Sequence, residues 1–369
     1  MTRGTGSFLR DNIEAFAVAI ALALVIRHYC VEAFQIPTGS MKPTLYGDRP
    51  PLHGDRILVD KVVPQLRDPK RWEVWVFQYP LNRSKNYIKR IVGLPGEHLR
   101  IVDGDIWTSR DQGATWSIER KPPGTRESLL LPYYPEPIDS RQALAGKRCW
   151  DAGEGWEVDE ERRRFDVHAT DATSTLRFDR EILAYDDVDR GGGFGGTLVV
   201  GDVRVSLRCE VERPGTLVVC ITEHGQAHRL VLGADGSRLE IGGVPTRSVP
   251  LDFRLEEGGD FDLSFANVDD TLLVEVDGEE LEVSLDTGRA APPDPKEEAF
   301  NGGWRTNGVH FEATSMRGTL LDIAIDRDLH YDWDEPDEAW VIPADHFFAL
   351  GDNTQHSKDS RAWSMVEVK

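Results

Sequence analysis

Cysteine is scarce in this chain: four in 369 residues, at 30, 149, 209 and 220. None forms a Cys-x-x-Cys pair or a zinc-ligand spacing, so neither a zinc module nor a dithiol redox motif is present. The ten histidines include none in a recognisable catalytic motif. His224 and His228 are four apart, but Gly225 and the surrounding strand pattern argue against a helical metal pair, and both read as surface histidines. Gly191 to Gly196 lacks the Lys-Ser/Thr that a phosphate loop needs and reads as a turn. No cofactor or metal pattern is found; the acidic run 332–338 reads as a solvated loop rather than a calcium site. No period of 20–50 residues repeats, which excludes propellers and solenoids. Positive charge is short overall, at 43 Lys and Arg against 64 Asp and Glu. The deficit is uneven: residues 1–110 hold 16 basic and 11 acidic side chains, a net of +5, and the other 259 carry −26. Nucleic acid is therefore not a partner of the large acidic part.

Long apolar runs are also missing, with one exception. Ala15 to Ile26 is twelve apolar residues without a break, short of the 18 that settle a membrane span. With Ile13 and Tyr29 to Phe34 it extends to about twenty, interrupted by Glu14, Arg27, His28 and Glu32. A cleaved secretory signal and a buried core helix have the same outline. A serine-bearing motif beginning nine residues after Ile26 favours an anchor, with Arg3 and Arg10 on the cytoplasmic side and Arg27 snorkelling at an interface.

The rest of the chain is β-rich. Arg56–Lys61, Trp72–Phe77, Tyr87–Val92 and Leu99–Val102 read as strands of a small antiparallel domain. Residues 111–147, rich in Pro, Ser and Gly, read as a connector. From 148 to 330 short strands alternate with turns, and Asp235-Gly236 and Asp277-Gly278 mark hairpins. This spacing predicts a β-sandwich of jelly-roll type. Val203–Val211 and Leu217–Ile221 flank Pro214-Gly215. A two-residue hairpin there would set Cys209 opposite Cys220, with Cβ atoms about 4.5–5.5 Å apart, near disulfide range. Packed free thiols are the other reading, and the compartment decides between them.

Three stretches carry chemistry. Gln35-Ile-Pro-Thr-Gly-Ser-Met-Lys-Pro-Thr44 turns sharply at Ser40, flanked by Gly39 and Met41. Tyr87-Ile-Lys-Arg-Ile-Val-Gly-Leu-Pro-Gly-Glu97 places Lys89 inside an apolar strand, and Gly351-Asp-Asn leads to Ser357, Asp359 and Arg361. A serine hydroxyl needs a base to take its proton. A lysine serves if burial lowers its free pKa of about 10.4 by two to three units. Strand alternation turns Arg90 to the face opposite Lys89, free to pair with Asp352.

These stretches resemble the conserved boxes of type I signal peptidases, membrane-anchored Ser/Lys endopeptidases that remove leader peptides. Thr38 to Thr44 is similar to the nucleophile box, Tyr87 to Glu97 to the base box, Gly351 to Arg361 to the last box, and Gly54-Asp55 with its strand to the remaining one. The resemblance covers roughly residues 10–105 and 340–364. It implies Ser40 as nucleophile and Lys89 as general base. Thr38 stands where the family often has a serine donating to the oxyanion beside the Ser40 N–H, Ser357 would aim the Lys89 amine, and Asp359–Arg361 and Asp352–Arg90 would be supporting ion pairs. It further implies cleavage after small residues of the Ala-x-Ala type, substrate added as an extended strand, and Met41 touching lipid. The partners expected are preprotein signal peptides and the lipid bilayer.

The expected organisation is a cytoplasmic tail over 1–11, a single-pass span over 12–31 and a catalytic part over 32–110. A connector over 111–147, an inserted sandwich over 148–330 and a second catalytic part over 331–369 follow. The catalytic domain then lies on the extracytoplasmic side of the cytoplasmic (inner) membrane. Two departures stand out. The chain stops eight residues after Arg361, where the family continues with another strand. The sandwich also enlarges the domain; it weakly resembles concanavalin- or laminarinase-like modules and suggests glycan or protein contact. Two rivals remain: a self-cleaving repressor-type Ser/Lys peptidase, which lacks its DNA-binding N-terminus here, and an anchored binding module with a vestigial peptidase.

Overall fold

The computed structural model describes residues 5–47, 54–79, 82–136, 148–185, 198–242, 247–284, 307–333 and 339–363. The Gly191–Gly196 turn, most of the acidic run 332–338 and the last six residues lie outside them. Among the described residues the chain is mainly β, in two compact units, 1–94 with 347–369 and 95–346.

The first unit opens with a helix, Thr5–Tyr29 (α1). Nothing in it breaks a helix: after Gly6 no Gly or Pro occurs, and alanines and leucines dominate its second half. Its window Asn12–Tyr29 has a mean hydropathy of 1.4 and is 0% buried, so α1 is not a core helix of this unit. At 1.5 Å per residue that window spans about 27 Å, close to a hydrocarbon core. The chain then forms an antiparallel ribbon, Val31–Gln35 with Arg56–Asp60, in which Phe34 faces Ile57. A three-stranded sheet completes the unit, with Asn86–Gly93 between Val74–Gln78 and Phe348–Leu350. Its middle strand belongs to the first stretch of sequence and one edge to the last.

The second unit contains a four-stranded sheet in the order Trp340–Val341, His98–Val102, Asp105–Ser109, Ser117–Ile118. It also contains a sandwich of an eight-stranded and a seven-stranded antiparallel sheet. Alternating burial, as in Val203–Arg213, sends every second side chain into one shared hydrophobic cluster that includes Trp150, Phe165, Phe265 and Phe311. The expected divide at 110 falls within the four-stranded sheet. That sheet is tied to the sandwich: the Lys121 N–H donates to Asp269 at 2.8 Å, and Gly104 bridges Tyr331. The stretch read as a connector is partly regular, with a short helix Pro123–Leu129 and a strand Leu131–Tyr134 that pairs with Arg317–Arg327 of the sandwich.

Both Asp-Gly turns form hairpins, Gln226–Gly233 with Ser237–Ile241 and Thr271–Val276 with Glu279–Ser284. The Pro214-Gly215 turn does not. Val203–Arg213 pairs with Asp260–Asn267 and Arg317–Arg327, whereas Thr216–Glu223 pairs with Gln226–Gly233 and Gly308–Thr314 in the other sheet. Proline holds φ near −65° and cannot adopt the positive φ at the first central residue that type I′ and II′ turns require, so the chain crosses between sheets. Cys209 therefore lies opposite Phe261 and Leu320, Cys220 opposite Arg229 and His310, and both are buried free thiols.

Candidate active site

Ser40 sits half-buried in the loop that follows the strand Val31–Gln35. Several contacts shape that loop. The Ile36 N–H donates to the Asp55 carbonyl at 2.9 Å, and the Tyr46 N–H donates to the Asp55 carboxylate at 2.8 Å. Gly47 packs directly on Thr38: a Cβ there would lie 2.0 Å from the Thr38 carbonyl oxygen, so only glycine permits the approach. From the C-terminal segment, Asn353 donates its side-chain amide to the Gly39 carbonyl at 2.9 Å and its N–H to the Ser40 carbonyl at 3.2 Å. Among the described residues the Ser40 N–H has no hydrogen-bond acceptor. Thr38, two residues earlier, is exposed.

Lys89 lies on the central strand of the three-stranded sheet, where consecutive residues from Lys89 to Gly93 are buried, so both faces of the strand are covered there. The side chain is 1% exposed, and its Nζ is 2.6 Å from Ser40 Oγ. Burial lowers its pKa to about 8, against the pull of the Asp359 and Asp352 carboxylates, with the Arg361 guanidinium adding slightly to the fall. Arg90, on the opposite face, grips Asp352 with two parallel hydrogen bonds, Nε to Oδ1 at 2.9 Å and Nη2 to Oδ2 at 2.7 Å. Its third donor reaches the Trp72 carbonyl at 2.8 Å, and Thr44 Oγ1 donates to Asp352 at 2.5 Å. Arg361 and Asp359 form a similar fork at 2.9 and 2.8 Å, and Asp359 also accepts from the Gly351 N–H at 3.0 Å.

The structure thus brings Ser40 and Lys89 together and sets Arg90, Asp352, Asp359 and Arg361 beside them. Ser357 is placed differently from expectation: its Oγ is buried without a hydrogen-bond partner rather than bonded to Lys89. It lies against Gly351, where a Cβ would fall 2.1 Å from Ser357 Oγ and 2.4 Å from the Ser40 carbonyl oxygen. Met41 is wholly buried, which removes it from lipid contact. Asn353 and Thr44 were not anticipated. Each lies within one of the three motifs, one residue after Asp352 and two after Lys42, but neither ionises, so the chemistry of its side chain does not mark it out in the sequence.

A groove of about 820 Å³ runs between the ribbon and the sheet, lined by Phe34, Ile57, Trp75, Phe77 and Ile88. Its walls are mostly the strands Arg56–Asp60 and Val74–Gln78, and Ser40 and Lys89 are not among its lining residues. In the second unit, His228 is not the surface histidine expected: it is buried, which lowers its pKa to about 4, while His224 sits on a turn against Asp103.

Comparison with known proteins places these features in context. Curated signal peptidase I from Pseudomonas aeruginosa is 36% identical over 146 residues, covering 36% of this chain and 49% of that protein. Signal peptidase I from Pseudomonas fluorescens is 43% identical over 99 residues, covering 24% and 33%. The chain thus spans half or less of the length of these relatives. Among solved structures, the carbohydrate binding module CBM66 from Bacillus subtilis covers 49% of the chain and 97% of its own, at 7% identity and a TM-score of 0.32, too slight a likeness to assign the sandwich a ligand. The pattern described as "Signal peptidase, peptidase S26" matches residues 9–126 and 275–369, both the Ser40–Lys89 segment and the C-terminal segment that supports it. That match extends over more than half of the sequence, and the chain belongs to the signal peptidase family, peptidase S26.

Proposed function

We propose that this chain is a membrane-anchored Ser/Lys endopeptidase that removes signal peptides from preproteins. The observation that carries the reading is the 2.6 Å approach of a buried lysine amine, with its pKa lowered to about 8, to the Ser40 hydroxyl. In its neutral form Lys89 takes the Ser40 proton as Oγ attacks the scissile carbonyl. The Ser40 N–H and the Thr38 hydroxyl donate to the oxyanion that develops. The Lys89 ammonium then returns the proton to the departing amine, and in its neutral state activates the water that releases the acyl group. Arg90–Asp352 and Asp359–Arg361 fix the backbone that carries these groups; they are positioning residues. Ser357 Oγ, buried beside this network without a hydrogen-bond partner, is available to the Lys89 amine.

The substrate lies extended beside Ser40 and Lys89, adding backbone hydrogen bonds as a further strand, with small side chains directed into shallow recesses of the Ala-x-Ala kind. α1 spans the inner membrane and holds this groove at its extracytoplasmic face. Detergent-solubilised protein incubated with a preprotein tests the reading, with Edman sequencing of the new N-terminus. Ser40→Ala and Lys89→Ala abolish cleavage while circular dichroism remains unchanged; substantial cleavage by either folded variant refutes the dyad.

A further inference from the structure

Four carboxylates converge at one end of the eight-stranded sheet. Asp202 precedes Val203–Arg213, Asp328 follows Arg317–Arg327, and Asp269 stands in the turn after Asp260–Asn267. These strands are neighbours, and Val203 is opposite both Asn267 and Arg327, so their ends deliver three side chains to one place. Asp105, first residue of Asp105–Ser109, supplies the fourth. One oxygen from each lies within 4.8 Å of the others. That is the separation of two oxygens on opposite sides of a calcium ion at about 2.4 Å.

Among the described residues, Lys121 is the side-chain cation seen to donate to this cluster. Lys121 Nζ donates to Asp269 and, at 2.6 Å, to Asp328 Oδ2. One ammonium cannot neutralise four carboxylates, and burying like charges together is unfavourable without a further counter-charge. A second observation points the same way. Asp328 is 3% exposed, yet its Oδ1 has no hydrogen-bond partner. A buried carboxylate oxygen left without a donor calls for an explanation, and a cation held by the cluster supplies one.

We propose that Asp105, Asp202, Asp269 and Asp328 bind a calcium ion, with Lys121 holding the remaining oxygens of Asp269 and Asp328. The donor set is all carboxylate, without His or Cys, which selects a hard cation over zinc or copper. The four ligands come from four distant segments, so the ion ties the strand Asp105–Ser109 to three strands of the sandwich and stabilises the second unit. Nothing in this proposal depends on the Ser40 reading.

The test uses the full chain in detergent, stripped with EGTA and dialysed, then titrated with calcium chloride by calorimetry and followed by thermal unfolding. Saturable binding at one site is expected, with a dissociation constant at or below about 1 mM, and a Tm that rises with the logarithm of calcium concentration. Asp105→Asn is expected to weaken calcium binding at least tenfold, yet in EGTA to melt no lower than the parent, because one repelling charge is gone. A purely structural Lys–Asp network predicts the reverse, a lower Tm with and without calcium. No saturable heat and an unmoved Tm up to about 10 mM calcium, ten times the weakest affinity expected, would overturn the site. So would a calcium response that survives in the Asp105→Asn, Asp202→Asn double variant. An equal response to magnesium would overturn the assignment of the ion. Should the variants fail to fold, titration of the parent decides alone.

Discussion

Lys89 owes its altered pKa to burial, which outweighs two nearby carboxylates that would hold the amine charged. The sign of the consequence follows directly. Below about pH 8 the folded lysine is an ammonium and cannot accept the Ser40 proton; above it the amine is free. The rate of preprotein cleavage is therefore expected to climb about tenfold per pH unit on the acid side and level off above pH 8. A flat profile between pH 6 and 8 would contradict it. Lys89→Arg is expected to be inactive at every pH, since a guanidinium does not deprotonate in this range. Linkage gives an independent check: between about pH 8 and 10.4 the unfolded chain binds more protons than the folded one at this site, so stability rises with pH there. The closeness of Ser40 and Lys89 could be anticipated from sequence because each sits in a short, contiguous motif. The hydrogen bonds of Asn353 to Gly39 and Ser40 could not, because neither residue type nor spacing specifies which carbonyl an amide will reach.

The strand Asn86–Gly93 turns Lys89 and Arg90 to opposite faces, as any strand does, and both are buried there. Period-two alternation was enough to separate Lys89 from Arg90, and that part of the site was legible. The turns were legible only where backbone chemistry is decisive. Asp277 and Gly278 adopt φ of 48° and 83°, the left-handed pair that a tight hairpin demands. Around Pro214-Gly215 the same alternation of strands hid a crossover between sheets, since a strand facing its neighbour and a strand facing the opposite sheet bury every second residue alike. At this scale Arg90–Asp352 is the tie between the central strand and the C-terminal segment, its side chains 5% and 0% exposed. Asp352→Asn leaves Arg90 buried without its counter-charge and is expected to destabilise the first unit by about 3–5 kcal/mol. It also removes one of the carboxylates that raise the Lys89 pKa, so the acid limb of the pH profile should move to lower pH. Thermal melts and pH–rate profiles on one preparation check both; an unchanged limb with a lowered Tm would show that Asp352 acts on the fold alone.

The whole molecule joins a small site to a large second unit. Arg90 and Asp352 are 262 residues apart in sequence, and Gly93 stands opposite Phe348 across one rung of a ladder. Composition had already separated a basic N-terminal part from an acidic remainder, but the boundary read from texture, near 110, differs from the compact division at Leu94 and Pro95. Residues 98–118 have the strand propensity of the first unit and the hydrogen bonds of the second, which only coordinates can distinguish. The arrangement has an energetic consequence. While the second unit is folded, strands near its two ends are paired, Trp340 with Leu99 and Val341 with His98. Once unfolded it becomes a loop of roughly 250 residues, and closing that loop costs about 4 kcal/mol more than closing a tight turn, by the logarithmic dependence of closure entropy on length. That is a large fraction of the stability of a small unit. Melting of the second unit should therefore carry the Ser40–Lys89 site with it. Residual preprotein cleavage after brief heating and the calorimetric transition of the sandwich are expected to share one midpoint. Asp352→Asn should instead lower the midpoint for activity and leave the sandwich transition in place. Activity that persists through the main calorimetric peak would show that the three-stranded sheet holds its registration without help from the unit inserted into it.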